Sequence, residues 1–171
     1  LLACDLVREA DPDRGLADAE HGRPARPERA HRLGRGLRQH DPVEVEVDDN
    51  VRVLRAIAAI DCGRAVNPDG VANQVEGGIV QAVSWTLKEQ VKLDAEGIAS
   101  RDWESYPILR FSEVPEMQVE FVDGAGNPTL GVGECTVGPT AAAIGNAVNH
   151  ALGVRIHDMP LTRERIMAAL L

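Results

Sequence analysis

Val51–Gln90 reads VRVLRAIAAIDCGRAVNPDGVANQVEGGIVQAVSWTLKEQ, and a change of period within it decides the fold class. Val51–Ile60 is of strand length, rich in Val and Ile, and more apolar toward its end, beyond Arg52 and Arg55. Asp61–Gly70, DCGRAVNPDG, concentrates turn formers. From Val71 the apolar positions fall four apart, at Val71, Val75, Ile79 and Val83. That stripe predicts a helix over Val71–Gln90.

Upstream, VEVEVDD (Val43–Asp49) alternates apolar and acidic residues, the pattern of a half-buried strand. Asp48, Asp49 and Asn50 supply turn chemistry, so Val43–Ile60 predicts a hairpin whose second strand is buried more deeply toward its apolar end. Downstream, a loop with Asp94 and Gly97 precedes RDWESYPILRFSEVPE (Arg101–Glu116), which reads as extended and proline-broken. Met117–Val122 predicts a strand and DGAGNPTLGVGE (Asp123–Glu134) a glycine-rich loop. Thr140–Leu152 predicts a second helix, with Pro139 in its first turn and Gly153 as its C-terminal cap. A short last helix starts at Thr162. The expected class is α+β: a hairpin plus helices packed on a small mixed sheet.

The 171 residues suit one domain, and 44% apolar content permits a core. The net charge of −9 is unevenly placed. Residues 1–42 hold eight arginines against eight acids and are neutral, so the whole excess lies in residues 43–171. An acidic chain is a poor general nucleic-acid binder. No apolar run reaches the length of a membrane span. The start LLACDLVREADPDRG has no signal-peptide pattern, which leaves cytoplasm and periplasm both open. Cys4, Cys62 and Cys135 are too few and too far apart for a disulfide scaffold or a zinc motif, so no metal-ligand set is expected.

Residues 1–42 show no sustained period and are broken by Pro12, Pro24, Pro27 and Pro42. They read as an unstructured leader. Two alternatives stand beside that: a basic arm within RPARPERAHRLGRGLRQH, or a GC-rich gene read out of frame. Residues 43–171 are the expected folded unit.

Three features carry chemistry. The helix bearing Gln74, Gly77, Gly78 and Gln81 places two adjacent glycines where each costs about 1 kcal/mol against alanine. Gln74, Gly78 and Gln81 share one stripe with Gly77 beside it. That bare stripe admits either a ligand or another backbone. GVGE (Gly131–Glu134) sets Glu134 on a loop freed of Cβ sterics by Gly131 and Gly133. The start of the next helix favours anions there, and a carboxylate so placed is either a general base or a solvated surface side chain. The glycine spacing fits neither a P-loop nor a dinucleotide fingerprint. In DCGRAVNP (Asp61–Pro68), Cys62 reads as a buried small residue rather than a nucleophile, although His150 or His157 could approach it in the fold.

Taken together, AIDCGRAVNPDGVANQVEGGIVQAVSWTLKEQ, YPILRFSEVPEMQVEFV, GVGE and AAAIGNAVNHALGVRIHDMPLT resemble the C-terminal part of molybdenum hydroxylase large subunits, the xanthine dehydrogenase and aldehyde oxidase family. The nearest likeness is to the isoquinoline 1-oxidoreductase beta-subunit type. The resemblance runs from about Val43 to Ile166 and stops before Val43. It implies the C-terminal portion of a molybdopterin-binding domain and a catalytic role for Glu134, as general base toward a molybdenum-bound hydroxyl that attacks an electron-poor carbon while hydride passes to a sulfido ligand. It implies cofactor binding by Gln74, Gly131 and Gly133. The implied reaction is hydroxylation of an N-heterocycle or aldehyde with water, using molybdopterin in the cytosine dinucleotide form. Iron–sulfur clusters are implied on a partner subunit or another domain, and the remainder of the large subunit is an implied partner.

Two departures accompany the likeness. Where the family has a proline-rich stretch after GVGE, this chain has Cys135-Thr136-Val137-Gly138-Pro139, which is expected to loosen the segment. There is also no FGG-type loop, no four-cysteine cluster motif, and a length several times below that of a large subunit. The chain therefore reads as a fragment, inactive in isolation. The alternative is a non-catalytic truncated or frame-shifted remnant, or a complementing partner chain.

Overall fold

The alternation at the start of the folded region produces a strand with one apolar face. β1 (Val43–Val47) buries Val43, Val45 and Val47 and leaves its two glutamates half-buried. The computed structural model describes residues 43–171 apart from Asp49, Asp123 and Ala125, so the expectation for residues 1–42 lies outside the described residues. β2 (Val51–Ile60) pairs antiparallel with β1 in the expected hairpin. The pairing slips at Leu54, because Val45 faces Val53 while Glu44 faces Arg55. The extra residue moves the buried set from Val51 and Val53 to Ala56 and Ile60, a change of parity that a bulge imposes. This corrects the expected deepening of burial along β2: Ala59, near its apolar end, is exposed.

Helix α1 (Pro68–Leu87) begins three residues before the expected Val71. Asn67 caps it by accepting the Gly70 N–H at 3.1 Å, and Pro68 occupies the first turn, where no backbone N–H is needed. The four-residue stripe goes inward: Val75, Ile79 and Val83 are fully buried. Burial of such side chains stabilises by about 1.5–3 kcal/mol each. The loop at Asp94 and Gly97 contains a two-stranded ribbon, β3 (Leu93–Asp94) and β4 (Gly97–Ile98). A short 3-10 turn at Phe111–Glu113 interrupts the extended segment that follows.

β5 (Glu116–Phe121) returns to the sheet and pairs parallel with β2, giving the order β1-β2-β5 with β2 central. α2 (Val137–Leu152) lies on β1 and packs beside α1, ending at Gly153 in the left-handed conformation expected of a cap. Ile144 and Val148 meet the α1 stripe in one aliphatic core, which α3 (Arg163–Leu170) closes through Ile166. Thr162 precedes α3 as its cap residue. The architecture is α+β, with helices on one small mixed sheet. Among the described residues no helix is long and apolar enough to cross a membrane.

Candidate functional site

Parallel pairing makes β2 and β5 end at the same edge of the sheet. The loops leaving carboxyl ends of parallel strands are where open sheets commonly place ligands. Here those two loops lie along each other. Val122 N–H donates to Ile60 O at 2.9 Å, Leu130 N–H to Cys62 O at 2.9 Å, and the Thr129 hydroxyl to Arg64 O at 3.0 Å. Gly63 makes the approach possible. Its φ is +62°, and an added Cβ would stand 2.0 Å from Pro128 O, so no other residue fits.

The second loop then runs to α1, and two motifs distant in sequence meet. Gln74 Nε2 donates to Gly133 O at 2.6 Å, 59 residues away. Two residues beyond Glu134, the Thr136 hydroxyl donates to Val75 O at 3.1 Å. A Cβ on Gly78 would lie 2.2 Å from that hydroxyl oxygen. The two glycines of α1 therefore have different reasons. Gly78 is bare so that Thr136 can reach the helix backbone, which is the packing alternative. At Gly77 nothing stands within 4 Å of the Cβ position, so its face is open. Gln81 is exposed.

Glu134 is exposed at the turn between these anchors. Its carbonyl accepts the Val137 N–H at 3.2 Å, which starts α2 three residues later. α2 has no side-chain cap, because the hydroxyl of its cap residue, Thr136, is directed to Val75 instead. In the first turn of α2 the Val137 N–H is taken by Glu134 O, Pro139 has none and the Thr140 N–H bonds Thr136 O, which leaves the Gly138 N–H for an anionic group. Gly131, Gly133 and Gly138 likewise have nothing near their Cβ positions. The loop presents bare backbone around one carboxylate and a helix N-terminus, a surface chemically suited to close approach by a large anionic cofactor.

Sequence reasoning missed Thr136. The expected loosening of the segment after GVGE by Cys135 and Gly138 is countered there, since Thr136 ties it to α1 and Cys135 packs against the core. The available signal was Gly78: a glycine on the Gln74 stripe needs something to pack into it. Cys62 is buried, as its structural reading required, with Gly63 O as its weak partner at 3.9 Å. Burial pushes the Cys135 thiol up, so it is a poor nucleophile. His150 and His157 are exposed. No group of three or more His, Cys, Asp or Glu side chains among the described residues could hold a metal ion.

Residues 40–115 match the molybdopterin cofactor-binding domain family. A nicotinate dehydrogenase polypeptide from Pseudomonas putida is 42% identical over 120 residues, which cover 70% of this chain and 10% of that protein. The beta chain of isoquinoline 1-oxidoreductase from Brevundimonas diminuta is 32% identical over 114 residues, 67% of this chain and 14% of that protein. The crystal structure of quinoline 2-oxidoreductase from Pseudomonas putida 86 superimposes with a TM-score of 0.68 at 32% identity, covering 75% of this chain and 18% of that one. The chain spans 10–18% of the length of these relatives. Matched in sequence through the helix that bears Gln74, and in fold over three quarters of its length, the chain belongs to the molybdopterin-binding domain family of the molybdenum hydroxylases.

Proposed function

We propose that this chain is part of the large subunit of a molybdopterin-dependent hydroxylase and carries its general base, Glu134. The observation that carries the reading is the Gln74–Gly133 hydrogen bond, which joins two motifs beside an exposed carboxylate. When bound, the cofactor supplies the two-electron oxidant, while the oxygen added to the substrate carbon comes from water. The chain's own residues do the rest. Gly131 and Gly133 keep the backbone bare enough for close approach. Gln74, with one amide hydrogen committed to Gly133 O, keeps its other amide hydrogen and its oxygen for the cofactor. The α2 N-terminus stabilises negative charge. Glu134, on a loop anchored at Gly133 and Thr136, accepts a proton at its carboxylate from the attacking oxygen.

The substrate class is an N-heterocycle, in keeping with the nicotinate, isoquinoline and quinoline of the relatives' names; an aldehyde is the family's other substrate class. The cofactor takes the cytosine dinucleotide form, and iron–sulfur clusters on a partner subunit or another domain carry electrons away. Residues 43–171 are the functional portion, and residues 1–42 lie outside it.

In the assembled subunit, Glu134→Gln should lower hydroxylation by about 10²–10⁴-fold, the usual contribution of a general base, with molybdenum per chain unchanged. Activity that survives the substitution assigns the base elsewhere. A second expectation follows from the chain covering 10–18% of its relatives. Alone it should bind no molybdenum cofactor, and metal analysis finding about one molybdenum per purified chain refutes this.

A further inference from the structure

The sequence holds five aromatic residues: two Trp, two Phe and one Tyr. None belongs to the core, which is built from Val, Ile, Ala, Leu and Cys62. Aromatic side chains carry the largest apolar area of any residue, and a core that uses none has placed that area elsewhere. Trp85, Trp103 and Phe111 are exposed, Trp103 by 75% and Phe111 completely. They lie within one stretch, residues 85–111, together with exposed Leu93, Ile98 and Ile108. Single exposed apolar residues are ordinary, but a series of them within one short stretch, both tryptophans included, marks an interaction surface.

The stretch is held in place by polar contacts. Ser84 Oγ accepts the Leu109 N–H at 2.9 Å, the Tyr106 hydroxyl donates to Glu89 at 2.8 Å, and Lys88 Nζ donates to Glu113 at 2.6 Å. These bring Ile108 and Phe111 to the end of α1 that bears Trp85. The β3–β4 ribbon leaves the same helix end with Leu93 paired opposite Ile98. Beyond it, Arg101 Nε donates to Ile98 O at 2.7 Å, and Ser105 bonds Asp102 at 2.7 Å. The backbone is fixed by hydrogen bonds while the apolar side chains point outward, so little ordering remains to be done on binding.

We infer that this apolar face, centred on Trp85, Trp103 and Phe111, is the docking surface for the part of the molybdenum-binding subunit that lies outside this chain. The inference rests on the proposed large-subunit reading and adds the contact surface to it. Three observations select the occupant. The relatives extend over five to ten times the length this chain covers, so most of each subunit lies outside it. The match to the cofactor-binding domain family runs over residues 40–115 and contains the whole face, which makes the face the property of that domain. The charges among the apolar residues are mixed, with Lys92 and Arg101 beside Asp94, Glu96, Asp102 and Glu104. A basic surface for lipid headgroups is not what that composition makes.

The test produces this full chain together with the Pseudomonas putida nicotinate dehydrogenase polypeptide lacking its matching 120-residue stretch, followed by hydroxyl-radical footprinting. The two should co-purify, and labelling of Trp103 and Phe111 should fall about tenfold relative to the chain alone, as expected for side chains moved into a desolvated interface. Trp103→Ser with Phe111→Ser should weaken the complex by about a hundredfold, with the circular dichroism of the chain unchanged because neither residue is in its core. Failure to co-purify, or unchanged labelling in the complex, overturns the inference. So does protection of the chain alone that rises with its concentration, which identifies a second copy as occupant. Protection that requires an iron–sulfur protein overturns it as well. Glu134→Gln should leave the complex and footprint intact, so a wrong assignment of the base and a wrong docking surface give separable results.

Discussion

Helix α1 turns one face to the sheet and another to the loop at residues 131–136, and the two contacts are made of different materials. Against the sheet and α2 it sets Val75, Ile79 and Val83, all but inaccessible to water. Such a contact is broad, non-directional and proportional to buried area. Against the loop it offers the Gln74 amide, the Val75 carbonyl and the void at Gly78. Two hydrogen bonds of that kind contribute about 1 kcal/mol each, but they fix position in a way that aliphatic packing does not. The difference separates holding the fold from placing the loop at residues 131–136. It also implies that the loop opens at lower free energy than the core.

Substitutions on the two faces can break or sharpen this contrast. Ile79→Ala should act through the core alone, lowering unfolding free energy by about 3–4 kcal/mol in urea titration, the usual effect of emptying a buried aliphatic site. A loss below about 1 kcal/mol would mean that α1 does not carry the core. The adjacent glycines give a sharper comparison because they lie on different sides of the divide. Gly78→Ala should destabilise by about 1–2 kcal/mol, since Thr136 must give up Val75 O to make room, and that loss exceeds the helix-propensity gain. Gly77→Ala meets nothing and should stabilise by about 0.5–1 kcal/mol. Adding Thr136→Ala to Gly78→Ala should recover part of the loss, which a double-mutant cycle reads directly. Equal effects at Gly77 and Gly78 would remove the loop contact from the account.

The core side of this contrast was legible in the sequence. Alternation at Val43–Val47 and the four-residue spacing at Val71–Val83 report which face is buried, because burial is periodic in both elements. The Asn67–Pro68 start of α1 was also available from cap chemistry, although the apolar stripe alone begins later. Leu54 was not legible: a bulge depends on how two strands register, and neither strand shows it alone. Nor was the parallel pairing of β2 with β5, which rests on contacts between segments far apart in sequence. At the site, residue types and glycine placement pointed to Gln74 and the GVGE loop. The role of Thr136 required knowing that Gly78 faces it.

The far end of α1 offers a third kind of contact, the weakest of the three. Lys88 Nζ reaches both oxygens of Glu113 at 2.6 Å, and the Arg110 N–H adds a bond at 2.8 Å. Partial burial works to raise the Glu113 carboxyl, but the Lys88 and backbone hydrogen bonds and the neighbouring positive charges outweigh it and hold it below its ordinary value of 4.5. A carboxyl depressed in the folded state binds its proton more readily when unfolded. Its stabilisation is therefore complete above about pH 4.5 and is lost as pH falls through the lower folded value. Both side chains keep a quarter to a third of their surface in water, so solvent screening limits the pair to under about 1 kcal/mol. Lys88→Met should accordingly lower stability slightly at about pH 6, and its difference from the unsubstituted chain should shrink as pH falls below about 4.5. Moderate salt should shrink the difference at the higher pH. A difference that persists unchanged in acid would show that the Lys88 stem, packed along the helix end, fixes the 106–113 segment instead of its charge. The end of α1 would then belong with the core contact rather than standing as a third kind.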